Sequence, residues 1–260
     1  MKYGFIGCGN MGGALAKALA CSTTDILLSD PSPKTQALAQ ELDCFIGDNE
    51  TAAWECERLF LAVKPQMMEA VLRPLAPILR QKKPLLITIA AGLQIETIES
   101  YAGTELPIIR IMPNTPVAVG KGMILYCCNS LVEQETLDDF LADMVPAGSL
   151  DHLEEHLIDA ACCVSGCGPA YVYMFMEAMA DGAVACGLPR QKALEYAANT
   201  LVGAAQMYLS TGTHPGELKD AVCSPGGSTI AGVKALEENG FRGTVMDCIQ
   251  AAYKRNKELG

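Results

Sequence analysis

Two glycine-bearing stretches hold residue types that could do chemistry. The first, GFIGCGNMGGALAKAL, sets Gly7, Gly9 and Gly12 as G-x-G-x-x-G after the apolar run Tyr3–Ile6, and Met11, Ala14, Leu15, Ala18 and Leu19 then recur at helical spacing. The pattern predicts a strand, a tight turn and a helix start. One glycine bends the chain, one lets backbone touch a pyrophosphate and one lets strand and helix pack closely, while free N–H groups at the helix start hold phosphate. Ile6, Gly7, Cys8, Gly9, Asn10 and Met11 are the residues that would meet such a ligand. This fingerprint needs a second strand closing on an acid about 20 residues on. DILLSD, ending at Asp30, is that strand. Asp30 is suited to accept hydrogen bonds from an adenosine ribose, whereas Pro31-Ser32-Pro33-Lys34 behind it has a hydroxyl and a cation suited to a 2′-phosphate. The residues thus predict a nicotinamide dinucleotide and leave its phosphorylated and unphosphorylated forms open.

The second stretch lies far along the chain, in Cys223-Ser224-Pro225-Gly226-Gly227-Ser228-Thr229-Ile230-Ala231-Gly232, and a shorter one precedes it in Val164-Ser165-Gly166-Cys167-Gly168-Pro169-Ala170-Tyr171. Each reads as a glycine-containing turn opening a helix, where bare backbone makes an anion pocket. A plain helix cap is the alternative for both.

The elements that must position these turns alternate in the first half. Strands read at GFIG, ILLSD, Cys44–Ile46, RLFLAV, PLLITIAA, IIRIMP and GMILYC, with helices between them and a helix near Glu133 to Val145. Such alternation predicts a doubly wound, mainly parallel sheet covered by helices, with its crevice at the carboxyl ends of the strands. Three strand ends bear marked residues: Ala62-Val63-Lys64-Pro65, Ala90-Ala91-Gly92 and Pro113-Asn114. Small residues and prolines there let a flat cofactor lie close to the backbone. Beyond about residue 153 only helical patterns remain, at Ala170–Cys186, Gln191–Ser210, Pro215–Val222, Ser228–Glu238 and on through Lys257. The division expected is a dinucleotide-binding domain over 1–152 and an all-helical substrate and dimerisation domain over 153–260. The helix Leu194 to Leu209 is apolar nearly all round, so it needs cover on both sides, and a partner chain is one source of it.

Composition narrows the partners. With 30 acids against 19 Lys and Arg in 260 residues, an extended basic surface for nucleic acid or anionic lipid is not expected. The start, MKYGFIG, has no secretory pattern, and no apolar run reads as long enough to span a membrane, so the cytoplasm is the expected compartment. The 12 cysteines contain no C-x-x-C and read as reduced, mostly buried thiols. No metal site is expected. His152 and His156 would share a helical face, but within the acidic DHLEEH they read as a solvated helix start.

Taken together, GFIGCGNMG, AVKP, IAAG, MPNTP, SGCGPAY and above all DAVCSPGGSTIAGVKALEENGF make the chain resemble the pyrroline-5-carboxylate reductases over its whole length. The resemblance implies NAD(P)H-dependent reduction of the cyclic imine 1-pyrroline-5-carboxylate to L-proline, the last step of proline biosynthesis. It also implies a Rossmann-type domain followed by a helical dimerisation domain, and homodimers that can assemble into homodecamers. NADPH is the reductant implied, with NADH the other candidate. Ser32 matches the serine that contacts the phosphorylated ribose in the family, Asn49 matches a cofactor asparagine, and Glu155 matches the acid preceding the SGxGPAY loop. Thr229 falls on the substrate threonine, with Ser228 as its small neighbour. Ala221 stands where some members carry an asparagine.

Elementary chemistry agrees with this placement. An imine accepts hydride readily once its nitrogen is protonated or hydrogen-bonded, and the Thr229 hydroxyl is suited to do that. Ser224, Gly226, Gly227, Ser228 and Thr229 would surround the substrate carboxylate at a helix start. Two rivals stand beside this reading. One is a related dehydrogenase acting on a β-hydroxyacid or another imine with a lysine acid, for which Lys192, Lys219 and Lys234 are available. The other is a dinucleotide-binding sensor without catalysis.

Overall fold

Short strands rich in Leu, Ile and Phe alternate with amphipathic helices through the first 165 residues of the computed structural model, which describes residues 1–259. In chain order they are β1 (Tyr3–Ile6), α1 (Asn10–Leu19), β2 (Ile26–Ser29), α2 (Lys34–Leu42), β3 (Phe45–Ile46), α3 (Asn49–Glu55), β4 (Arg58–Leu61), α4 (Met68–Lys82), β5 (Leu85–Thr88), α5 (Ile95–Ala102), β6 (Ile108–Met112), β7 (Gly122–Cys128), α6 (Gln134–Met144), β8 (Gly148–His152) and α7 (Glu155–Ser165). The strands form one eight-stranded sheet of order β3-β2-β1-β4-β5-β6-β7-β8. All neighbours are parallel except β6 and β7, which run antiparallel. This is the mainly parallel, Rossmann-type arrangement expected from the alternation.

Central strands are buried on both faces, so they read as continuous apolar runs rather than alternating ones. Alternate residues nevertheless divide between two cores. Ile6, Leu27, Leu59, Leu61, Leu86 and Ile108 pack under α3, α4 and α5, whereas Tyr3, Phe5, Ile26, Leu28, Phe60 and Ile87 pack under α1, α2 and α6. Phe5 and Phe60 stack across β1 and β4 with ring centroids 4.3 Å apart. Sheet order makes β1 the switch point, with β2 on one side and β4 on the other. A ligand crevice forms there, at the carboxyl ends of the strands.

At the opposite end of these strands, α6 is pinned by charge. Tyr3 donates to Asp143 at 2.7 Å, Lys2 pairs with Asp143 at 2.7 Å, and the buried Arg58 donates to the Tyr3 hydroxyl at 2.7 Å. Burial opposes the charge on Asp143, yet these hydrogen bonds and the Lys2 and Arg58 charges outweigh it and hold the carboxyl below the usual range.

The structure adds β8, whose last two residues, Asp151 and His152, the sequence predicts as part of a helix start. GSLDH alternates too weakly to be read as a strand, and it forms because β7 offers it a parallel edge. His152 therefore ends a strand and His156 lies in the first turn of α7, so the two do not share a helical face.

The second compact unit runs from Gly168 to Ala251, and the last turns from Ala252 pack with the first. Its helices are α8 (Gly168–Ala185), α9 (Arg190–Thr211), α10 (Pro215–Ala221), α11 (Ser228–Glu238) and α12 (Phe241–Leu259). Among its apolar side chains only Ala180, Ala193 and Ala197 are fully buried, while Val202 and Leu209 of α9 are 69% and 73% exposed.

Two expectations about apolar residues are corrected. The helical segment Glu155–Ala185, which contains an 18-residue stretch of mean hydropathy 1.2, is long and apolar enough by composition to cross a membrane. The sequence reading had split it at Gly166-Cys167-Gly168. The cysteines are free but not mostly buried: Cys56, Cys127 and Cys163 are, Cys21 and Cys186 are exposed, and the others are half-buried.

Candidate active site

The first glycine turn is fastened between two strands. Gly7 N–H donates to the Ser29 carbonyl of β2, and Ala62 N–H, just past β4, donates to the Ile6 carbonyl, both at 2.8 Å. The three glycines serve different ends. Gly7 sits at φ +98°, where a Cβ would stand 2.6 Å from the Ala62 carbonyl oxygen, and a Cβ at Gly12 would run into the Gly7 carbonyl oxygen. Gly9 has an ordinary φ of −64° and nothing within 4 Å of where its Cβ would be. Gly7 and Gly12 thus allow the fold, and Gly9 leaves space beside the start of α1. That helix has no capping side chain and no acid in its first turn, so its leading N–H groups can face an anion.

A cleft of about 430 Å³ opens over this turn. It brings together Ile6, Gly7, Gly9, Asp30, Asn49, Ala62, Val63 and Lys64 of the expected cofactor residues, with Ser29, Pro31, Met67 and Val71 beside them. Cys8, Asn10, Met11, Ser32 and Pro65 adjoin these in sequence without lining the cleft, and Ala90, Ala91 and Gly92 follow β5 outside it. Open backbone, an uncapped helix start and one cation, Lys64, fit a dinucleotide pyrophosphate.

Asp30 is held more firmly than a free ribose acceptor. Its Oδ2 accepts from Cys8 N–H and its Oδ1 from Ser32 N–H, each at 2.7 Å. Burial, with the Asp30 charge beside it, pushes the Cys8 thiol up to about 12, so that thiol stays protonated at neutral pH. Asn49 accepts from the Ser29 hydroxyl at 2.6 Å, which ties the start of α3 to β2.

Two expected contact residues are committed elsewhere within this unit. Asn114, past β6, donates to the Ser165 carbonyl and accepts from Met123 N–H, both at 2.9 Å, gripping the end of α7. Glu155 opens α7, accepts from Ile95 N–H at the start of α5 at 2.8 Å, and pairs at 3.2 Å with Arg110, which is 1% exposed. Arg110 also pairs with Asp159 at 3.0 Å. Sequence reasoning missed this buried arginine. Its signal was a lone charge in the apolar run IIRIMP, which requires acidic partners.

The second glycine turn, in the helical unit, keeps its backbone open. Gly226 lies at φ +68°, Gly227 N–H donates to the Ser224 carbonyl at 3.0 Å, and Gly227 is the N-cap of α11. No side chain caps that helix and no acid lies in its first turn. Ser224, Ser228 and Thr229 are exposed there. The SGCGPAY segment differs. Gly166 and Cys167 N–H both donate to the Cys162 carbonyl, so these groups close α7 rather than form an anion pocket.

Comparison with known proteins decides the assignment. A family model described as pyrroline-5-carboxylate reductase dimerisation matches residues 155–259, and one described as NADP oxidoreductase coenzyme F420-dependent matches residues 2–92. The chain is 41% identical to the pyrroline-5-carboxylate reductase of Escherichia coli over 99% of its own length and 98% of that protein. It is 39% identical to the one from Pisum sativum, over 98% and 95%. The chain belongs to the pyrroline-5-carboxylate reductase family. Among solved structures, the Plasmodium falciparum pyrroline carboxylate reductase with NADP bound matches with a TM-score of 0.90 at 35% identity, covering 100% of this chain and 98% of that one. The enzyme from Coxiella burnetii matches at 0.91 and 31%, with the same coverage.

Family membership weighs against the rivals, and so do the lysines. Lys192, Lys219 and Lys234 are paired with Glu195, Asp220 and Glu238 on their own helices.

Proposed function

We infer that the chain is an oxidoreductase that reduces 1-pyrroline-5-carboxylate to L-proline with NADPH. End-to-end identity with pyrroline-5-carboxylate reductases carries this reading. When bound, the dinucleotide supplies the hydride, and the protein's task is to bind, orient and polarise. Gly9, the start of α1 and Lys64 would hold its pyrophosphate, and Asp30, Ser32 and Asn49 would face its adenosine end. Thr229 would hydrogen-bond the imine nitrogen and so draw electron density from the carbon that is reduced. The N–H groups of Gly227, Ser228 and Thr229, with the Ser224 hydroxyl, would receive the substrate carboxylate. Because Glu155 already serves Arg110 and Ile95, its part is to position α7.

The same reading divides the chain into a cofactor domain over 1–152 and a substrate and dimerisation domain over 153–260. The exposed apolar faces of α8 and α9 support a homodimer, which places Glu155–Ala185 against protein rather than lipid. Assembly to a decamer and residence in the cytoplasm follow from the resemblance. The test is NADPH oxidation that depends on added pyrroline-5-carboxylate, with proline identified as product. Oxidation with a β-hydroxyacid's keto partner instead, or cofactor binding without turnover of any imine, would overturn the reading in favour of one rival or the other.

A further inference from the structure

Two polar side chains on and just past β6 grip one helix. The Arg110 guanidinium pairs with Glu155 at 3.2 Å and Asp159 at 3.0 Å in the first half of α7, and Asn114 donates to the Ser165 carbonyl at its end. β6 lies inside the sheet, with Arg110 opposite Thr88 of β5 and Cys127 of β7, so the arginine projects from backbone fixed on both sides. It is 1% exposed, and its Nε has no hydrogen-bond partner among the described residues, which leaves the α7 carboxylates to compensate its charge. A buried guanidinium cannot part from such partners without a large penalty.

Asp159 carries the tie one step further. Its backbone carbonyl accepts from the Asn256 side chain at 3.4 Å, in the last turns of α12. The chain passes between its compact units at just these two places: it leaves the first after Cys167, past the end of α7, and returns at Ala252, within α12. The second unit, Gly168–Ala251, holds the turn Ser224–Thr229. Both connections of that unit are therefore fastened to β6 by way of Asp159. None of Arg110, Glu155, Asp159 and Asn256 lines the cofactor cleft.

Resting on the reading of Thr229 as the group that meets the imine, we propose that Arg110 is a positioning residue for hydride transfer. By fixing α7 and, through Asp159, the end of α12, it sets the points from which the substrate turn is held. Hydride transfer is sensitive to such placement, since a displacement of about 1 Å caused far from the reacting atoms can cost on the order of 100-fold in rate. Arg110 acts through α7 and does no chemistry itself.

The test compares Arg110→Met with Arg58→Met. Both remove a buried arginine of the same sheet, but Arg58, 7% exposed on β4, pairs with Asp139 and Asp143 of α6 and has no part in either connection. Each variant should lower Tm, because each leaves carboxylates without their cation. Below both melting temperatures, with NADPH and pyrroline-5-carboxylate saturating, Arg110→Met should lose roughly 10–100-fold in kcat while Arg58→Met keeps the wild-type value. The NADPH Kd of Arg110→Met should not change. Its deuterium isotope effect on kcat, measured with NADPH labelled at the transferred position, should rise, because misplaced hydride transfer becomes the slow step. Arg110→Lys keeps the charge without the fork and should recover part of the loss. Asp159→Asn alters a side chain that is 29% exposed, so it tests the same tie even where Arg110→Met fails to fold, and it should lower kcat less while raising the isotope effect. A wild-type kcat and isotope effect in whichever of these two variants folds overturns the proposal. So does an equal loss of kcat in Arg58→Met, or weakened NADPH binding that accounts for the loss in Arg110→Met. A fully active Thr229→Ala enzyme, or wild-type protein that does not reduce pyrroline-5-carboxylate, overturns the underlying reading instead.

Discussion

Substituting Gly9 by alanine should separate cofactor binding from folding, because the three fingerprint glycines differ in what surrounds them. At Gly9 the new methyl meets nothing within 4 Å and the backbone is at φ −64°, so no strain arises. Alanine is the poorer helix N-cap, by about 0.5–1 kcal/mol, but it also narrows the unfolded ensemble by a similar amount. The net change in stability should stay within about 1 kcal/mol, roughly 2–4 °C in Tm for a chain of this size. Binding should suffer, since that open space is where a pyrophosphate would press against the backbone. NADPH at 100 times its Kd stabilises the wild type by about 2.7 kcal/mol. A tenfold weaker variant at the same concentration gains about 1.4 kcal/mol, and a hundredfold weaker one about 0.4 kcal/mol. Thermal shift with and without NADPH, alongside direct titration, reads both quantities on one sample. Gly12→Ala is the control. Its methyl would meet the Gly7 carbonyl, so it should destabilise the ligand-free protein by the roughly 1–3 kcal/mol typical of overpacking and lower its Tm accordingly. A Gly9→Ala protein that keeps its full ligand shift, or that unfolds as readily as Gly12→Ala, would refute the division of labour among the glycines.

Three further outcomes follow. Thr229→Ala, at an exposed position of α11, should leave the unfolding free energy within about 0.5 kcal/mol of wild type and lower kcat by ~10–1,000-fold, with Thr229→Ser recovering most of it; a destabilised but fully active alanine variant would remove this hydroxyl from the mechanism. Because the folded carboxyl of Asp143 titrates below its unfolded value, its stabilisation is full above about pH 4 and is lost as the pH falls through the lower folded value. Asp143→Asn should therefore cost about 2 kcal/mol at pH 7 and progressively less toward pH 2–3, and a Tm difference independent of pH would contradict this. Finally, sedimentation should find no stable active monomer, and Val202→Asp together with Leu209→Asp on the exposed face of α9 should dissociate the assembly; an unchanged sedimentation coefficient would place the interface elsewhere.

What could be read from residues alone was set by whether the controlling interaction is local. The fingerprint turn, the parallel sheet and the uncapped start of α11 were legible because glycine spacing, strand-length apolar runs and helical periodicity are properties of a short window. The strand β8 was not, since GSLDH has little pattern of its own and is shaped by the edge of β7. The partners of Asp30, Asn114 and Glu155 were equally hidden. A carboxylate or amide at a strand end looks free to meet a ligand until the fold brings Cys8 N–H, the Ser165 carbonyl or Arg110 to it. The sequence could identify polar groups that must be satisfied; only the three-dimensional arrangement says by whom.

The central claim, that this chain delivers hydride to the imine carbon of pyrroline-5-carboxylate, is tested most directly with NADPH deuterated in the transferable position of its nicotinamide ring. Mass spectrometry of the proline formed should show one deuterium, carried at the ring carbon that was double-bonded to nitrogen, and none in reactions lacking the protein. Proline without deuterium, or cofactor oxidation that yields no proline, would contradict the account.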